Sequence, residues 1–232
     1  MTTSRRRRES RLLLMGAVLL LSPVVAEAQT CRLPARVEPA PARRAPPDEV
    51  SRTRADHYQL ALSWSPEWCR GRSDRLQCQD NSFGFIVHGL WPGAARGPNP
   101  RFCAPAPPLD PVTVRRRLCM TPSPSLMQHQ WAAHGTCGWS NAQAYFDQTA
   151  ALWRDLNVPD LQSGVMTAGQ IRQAFVAANP RIPRAALQVR VAHGNRLKEV
   201  GVCYDLRFRP AACPRAGGTP DAVTVRITPR RR

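Results

Sequence analysis

Three of the chain's five histidines stand in two short stretches. His88 closes the apolar run FGFIVHGLWP at residues 83–92, and His129 and His134 belong to MQHQWAAHGTCG at 127–138. Two histidines from separate elements are what acid–base catalysis near neutral pH requires, because one imidazole can take a proton while the other gives one. A histidine that ends an apolar strand and precedes a glycine is placed where a side chain leaves the core and meets solvent. In the second stretch Gln130 and His134 are four residues apart and share a helical face. His129 lies about 140° around the axis from His134. Cys137 can then staple the end of that helix to something else.

Other chemistries fit these residues less well. His57 and His193 read as structural or merely exposed, His193 because any polar residue would serve in its turn. Zinc held by His129, His134 and Cys137 is disfavoured, since the two histidines diverge and a disulfide competes for the thiol. No G-x-S-x-G elbow is present for a serine nucleophile. No metal and no cofactor are expected.

The elements that must position these groups can be read from periodicity. HYQLALSW alternates Tyr58, Leu60, Leu62 and Trp64 with His57, Gln59, Ala61 and Ser63, the pattern of a half-buried strand. FGFIVHG is more continuously apolar, which predicts a central strand. The Pro-rich stretch 97–111 reads as loop, and PSPSLMQHQWAAHGTC as a helix stopped at Gly135. A further helix starts at Ser140 and Asn141, with Tyr145, Phe146, Thr149, Leu152, Trp153 and Leu156 on one face. A capping box at Thr167 and Gln170 opens another, ended by Asn179-Pro180. LQVRV, a His193-Gly194-Asn195 turn and LKEVGVCYDLRF predict a hairpin, and AVTVRIT a last strand. The sum is an α+β domain with a largely antiparallel central sheet and helices packed against it.

Residues 1–28 read as a secretory signal peptide: arginines at 5–8 and 11, an apolar run too short to span a membrane, and Ala26-Glu27-Ala28 as the cleavage signal. Residues 29–52 are a Pro- and Arg-rich extended leader, and 53–232 a single catalytic domain. The mature chain has no transmembrane segment. Export makes the eight cysteines disulfide partners, with a connectivity that counting alone leaves open. The formal charge of +17 suggests a polyanionic partner such as nucleic acid, lipid head groups or an acidic glycan. Because the cations are nearly all Arg, a GC-rich genome accounts for part of that excess.

With these residues on the page, the chain resembles the ribonuclease T2 family. HGLWP and HQWAAHGTC look like its two active-site segments, in the right order. YQLALSWSPEWC, the PSPSLMQHQW approach and LKEVGVCYD extend the likeness over most of residues 57–213. The resemblance implies a secreted or periplasmic endoribonuclease, expected to be monomeric. It would cleave single-stranded RNA without metal, through a 2′,3′-cyclic phosphate. It implies His88 and His134 as the acid–base pair, His129 as a phosphate binder, and Trp91 as a residue packing against a base; His134 is taken as base and His88 as acid in the first step, an assignment the sequence leaves open. It also implies disulfides Cys69–Cys78, Cys203–Cys213 and Cys103–Cys137, which leaves Cys31 with Cys119.

One departure stands out. Where the family's second segment reads H-E-W-x-K-H-G-T-C, this chain has Gln130 for Glu and Ala133 for Lys. Gln130 keeps a hydrogen-bonding role at the catalytic position but carries no charge, and Ala133 supplies nothing. A lysine at 133 is therefore expected to restore a cation beside the phosphate, unless an arginine such as Arg115–Arg117 already does. The alternative function is an RNA-binding protein of T2 type with weak turnover. A basic secreted binding or membrane-active module is the third.

Overall fold

The structure, a computed structural model, describes Met1, residues 31–214 and residues 217–230. The signal-peptide reading therefore falls, Met1 apart, outside the described residues. Six strands form one sheet: β1 (His57–Trp64), β2 (Phe85–Gly93), β3 (Gly164–Thr167), β4 (Leu187–Ala192), β5 (Arg196–Tyr204) and β6 (Thr224–Ile227). The path runs β2-β1-β5-β6-β3, with β4 also paired to β5. Every pairing is antiparallel except a single parallel contact of β5 with β6 at Arg196 and Arg226.

Among the described residues, five α-helices accompany the sheet: α1 (Ser65–Trp68), α2 (Pro111–Arg117), α3 (Pro124–Ala133), α4 (Ala142–Arg154) and α5 (Ala168–Ala178). Their starts are written locally. Ser123 Oγ accepts from Leu126 N at the head of α3, where Pro124 sits in the first turn. Asn141 caps α4 through Ala144 N, and the Thr167–Gln170 capping box opens α5. Each such cap stabilises its helix by about 1 kcal/mol. Leu60, Leu62, Trp64, Phe85 and Val87 of the sheet join Met127, Tyr145, Ile171 and Phe175 of the helices in one buried core.

Two strand assignments change. β1 is buried on both faces from Gln59 to Leu62, and only His57, Tyr58 and Ser63 stay partly buried. β2 is an edge strand rather than a central one. Its apolar run reflects a covered edge. Val87 N donates to Met120 O, Thr121 Oγ1 donates to Val87 O, and the Tyr145 hydroxyl bonds to both backbone groups of Leu90. Covering an edge in this way removes a template for unwanted pairing. Helix α2 was not foreseen, although Asp110 before Pro111 carries its start signal and caps Thr113 N. Nor was the four-residue β3, which exists through its pairing with β6.

The disulfides are Cys69–Cys78, Cys103–Cys137 and Cys203–Cys213, the pairs that the family likeness implied, and Cys31–Cys119, the pair left over.

Candidate active site

The first histidine is delivered by an irregularity in β2. Ala61 pairs with Gly89 and Leu62 with Val87, so His88 is the extra residue of a β-bulge. A bulge re-aims one side chain without ending the strand. His88 is thereby turned across β1 toward β5, where its Nδ1 lies 2.9 Å from Glu199 Oε2. That contact commits Nδ1 and leaves Nε2 for other work.

Glu199 is 3% exposed and is held by more than the histidine. Arg190, its register partner on β4, donates from Nη1 to Glu199 Oε1 at 2.6 Å. Arg190 Nη2 donates to Gln188 Oε1 at 2.9 Å and to Gln59 Oε1 at 3.2 Å, and Gln59 Nε2 donates to Gln188 Oε1 at 2.9 Å. Burial pushes the Glu199 carboxyl up, but the His88 and Arg190 contacts outweigh it, and the group is held below its ordinary range. Gly201 makes room for this network: a Cβ there would stand 2.4 Å from Gln59 Nε2.

The second histidine is placed by the end of a helix. α3 stops at Ala133, one turn position short of the expected Gly135, and His134 leaves helical geometry at φ −126°, ψ −45°. Its N–H still donates to Gln130 O at 3.0 Å. Gly135 follows because the chain passes close to two rings; a Cβ would meet the Trp131 ring at 2.4 Å and Tyr145 at 2.9 Å. Phe102 N bonded to Ala133 O, together with the Cys103–Cys137 disulfide, fixes this corner.

Trp91 ties the two histidines together. Its ring centroid is 5.0 Å from that of His88 and 5.6 Å from that of His134, and its Nε1 donates to Gln130 Oε1 at 2.7 Å. Gly89 makes that last bond possible, since a Cβ would fall 2.0 Å from Gln130 Oε1. His129 completes the set, 6.3 Å from His134 between ring centroids. The five candidate residues His88, Trp91, His129, Gln130 and His134 thus converge. A cavity of about 280 Å³ opens beside them, bordered by His88, His129, Ser123, Trp68 and Arg43.

The two histidines of the second stretch share dry surroundings that face cations. His134 is 7% exposed, its Nδ1 has no partner, and burial followed by the charge of Arg101 holds its imidazole well below the usual value. His129 is lowered to about 4, by burial first and then by Arg43 and Arg101. Both are neutral bases in the free protein at ordinary pH.

Two expectations about charge are corrected. Ala133 is fully buried and packs with Phe102 and Ala132, so its Cβ points into apolar contact. A lysine there would overpack that cluster. Arg115–Arg117 are on α2, where Arg117 pairs with Asp147 and Arg115 donates to Pro34 O. The cations that act on the histidines are Arg43 and Arg101 instead. Glu199 and Arg190 were also missed, though an acidic residue inside the apolar alternation of LKEVGVCY was a readable signal. Arg43 had none, because its place depends on where the leader runs.

Among the described residues, no three His, Cys, Asp or Glu side chains gather as metal ligands would. No described helix is long and apolar enough to cross a membrane.

A model of the ribonuclease T2 family matches residues 55–170, which include all five converging residues and end before Arg190 and Glu199. A probable ribonuclease of Haemophilus influenzae is 30% identical over 174 residues, 68% of this chain and 61% of that one. A ribonuclease of Aeromonas hydrophila is 45% identical over 83 residues, 35% of this chain and 37% of its own. The chain thus spans less than two thirds of the length of either relative. Among solved structures, an RNase-related protein from Calystegia sepium superimposes with a TM-score of 0.62 at 23% identity, covering 77% of this chain and 98% of that one. The last likeness concerns the fold.

Proposed function

The chain belongs to the ribonuclease T2 family, and from that premise we propose that it is an endoribonuclease cleaving single-stranded RNA by metal-independent transphosphorylation. The observation that carries this reading is the pair of histidines on either side of Trp91, one dry and unpartnered, the other bonded to a buried carboxylate.

The chemistry follows from those surroundings. Neutral His134 takes the proton of the ribose 2′-hydroxyl, and the 2′-oxygen attacks the adjacent phosphorus. His88, oriented by Glu199 through Nδ1, donates a proton from Nε2 to the departing 5′-oxygen. The phosphorus–oxygen bond to that leaving group breaks and a 2′,3′-cyclic phosphate remains. With Gln130 Oε1 engaged by Trp91, its amide N–H groups are left to donate to a phosphoryl oxygen. His129 binds phosphate at the rim, and Trp91 packs against a base, a contact tolerant of sequence. Four disulfides fit a secreted or periplasmic destination.

The competing reading, an RNA binder that turns over poorly, rests on Gln130 and the missing lysine. Digestion separates the two. RNA should be cut equally well in EDTA, and DNA, which lacks the 2′-hydroxyl, should survive. Cleavage abolished by EDTA and rescued by Mg²⁺ would refute the mechanism; binding without cleavage would favour the alternative.

A further inference from the structure

The groove has a wall that the family match does not reach. That match begins at residue 55, yet residues 31–52 lie against the domain as a strap. The strap is pinned at its start by Cys31–Cys119 and by Arg32 N bonded to Asn81 Oδ1 at 2.6 Å. It is pinned at its end by paired backbone bonds of Ser51 with Arg101, at 3.0 and 2.8 Å, and by the Glu49–Arg101 ion pair. Between the pins, Pro34, Pro39, Pro41, Pro46 and Pro47 keep it extended and stiff.

Arg43 stands in this span. It borders the same cavity as His88 and His129, is exposed, and makes no ion pair among the described residues. Deeper in the same corner, His129 Nδ1, His134 Nδ1 and Arg101 Nε are buried nitrogens with no protein partner. Of these, Arg101 Nε is a donor by its chemistry, and a buried donor without an acceptor beside an exposed cation that makes no ion pair among the described residues suits an anion. The helix carrying the two histidines offers no cation of its own here, since Ala133 at its last turn is fully buried.

We propose that Arg43, carried by the N-terminal strap, is a phosphate-binding residue of the RNA groove and supplies a cation from outside the two histidine segments. The strap is then part of the substrate site. This rests on the ribonuclease reading for the identity of the anion, but its test does not depend on turnover.

The test compares Arg43→Ala, Arg43→Glu, Arg43→Lys and a neighbouring control, Arg44→Ala, in the full chain. Binding of a non-cleavable 2′-O-methyl oligouridylate is followed by fluorescence anisotropy across a salt series, alongside kcat/KM on oligouridylate RNA. Arg43→Ala should bind about tenfold more weakly, with a log–log salt slope shallower by about 0.7, the value for one single-strand phosphate contact. Arg43→Glu should lose more, Arg43→Lys should recover most of the affinity, and Arg44→Ala should match the parent. Unchanged affinity and slope in Arg43→Glu would overturn the proposal, as would an equal loss in Arg44→Ala, which would make the effect one of bulk charge. If the parent binds RNA but cleaves none, the ribonuclease reading falls, and the binding series still decides the role of Arg43.

Discussion

In the proposed reaction His134 is the base, and its imidazole is kept dry. Water is nearly excluded, no acceptor meets Nδ1, and Arg101 adds a like charge. A histidine whose folded value is lowered stays unprotonated as pH falls below 6.5. The acid limb of kcat/KM, which reports the free enzyme, should therefore lie clearly below pH 6.5; a limb at or above that value would contradict the assignment of His134 as base. Stability follows the same sign. Between about 6.5 and 4 the unfolded chain binds a proton at His129 that the folded chain refuses, so stability falls with pH through that window. In that proposal Glu199 acts only through His88, which it bonds at Nδ1. Glu199→Gln should lower kcat by about 10–100-fold with KM nearly unchanged, the mark of lost transition-state help; a change confined to KM would assign Glu199 to binding. The histidine pair was legible in the sequence because the two motifs stand in order. The pairing of His88 with Glu199 was not, even though an acid in an apolar strand could be read, because residues 88 and 199 meet only across an intervening strand.

Elements place these groups through small departures from regularity: a bulge in β2, a helix that ends one residue early, and glycines where side chains cross the sheet. Hairpin β4–β5, the caps of α4 and α5, and the last strand were legible, since local periodicity and cap chemistry write them directly. Strand order was not. A covered edge and a buried centre produce the same continuous apolar run, which is why β2 reads as central. Burial likewise reverses the expectation for position 133. The methyl group of Ala133 packs on Phe102, and forcing extra methylenes into such a site costs about 1–3 kcal/mol. Ala133→Lys should thus lower the melting temperature without raising the rate, measured by thermal unfolding and by turnover at matched temperature. A stable and faster variant would mean that the lysine side chain finds a route to the groove.

Over the whole molecule, disulfides and the strap convert a sheet and a few helices into a fixed groove. Cys103–Cys137 matters most for the site, because it closes the corner between Phe102 and His134 across a separation of 34 residues. Cys137→Ser with Cys103→Ser should cost about 2–5 kcal/mol of stability and reduce kcat further at temperatures where the protein remains folded. Loss of stability with full kcat would show that the bond does not position His134. The excess of positive charge was legible from composition, but composition could not say which arginines face the substrate. Pairing removes some of them, since Arg117, Arg172, Arg184 and Arg230 are spent on Asp147, Asp221 and Asp160, and position singles out Arg43, which borders the cavity beside His88 and His129.

The central claim is that two histidines transfer the protons of a metal-free transphosphorylation. The measurement that reaches it most directly is ³¹P NMR of oligouridylate RNA digested in EDTA by the parent, His88→Ala and His134→Ala proteins. The account predicts a 2′,3′-cyclic phosphate resonance from the parent, and each variant slower by at least about a hundredfold. Products bearing 5′-phosphate with no cyclic species, or either alanine variant cleaving at the parental rate, would contradict it.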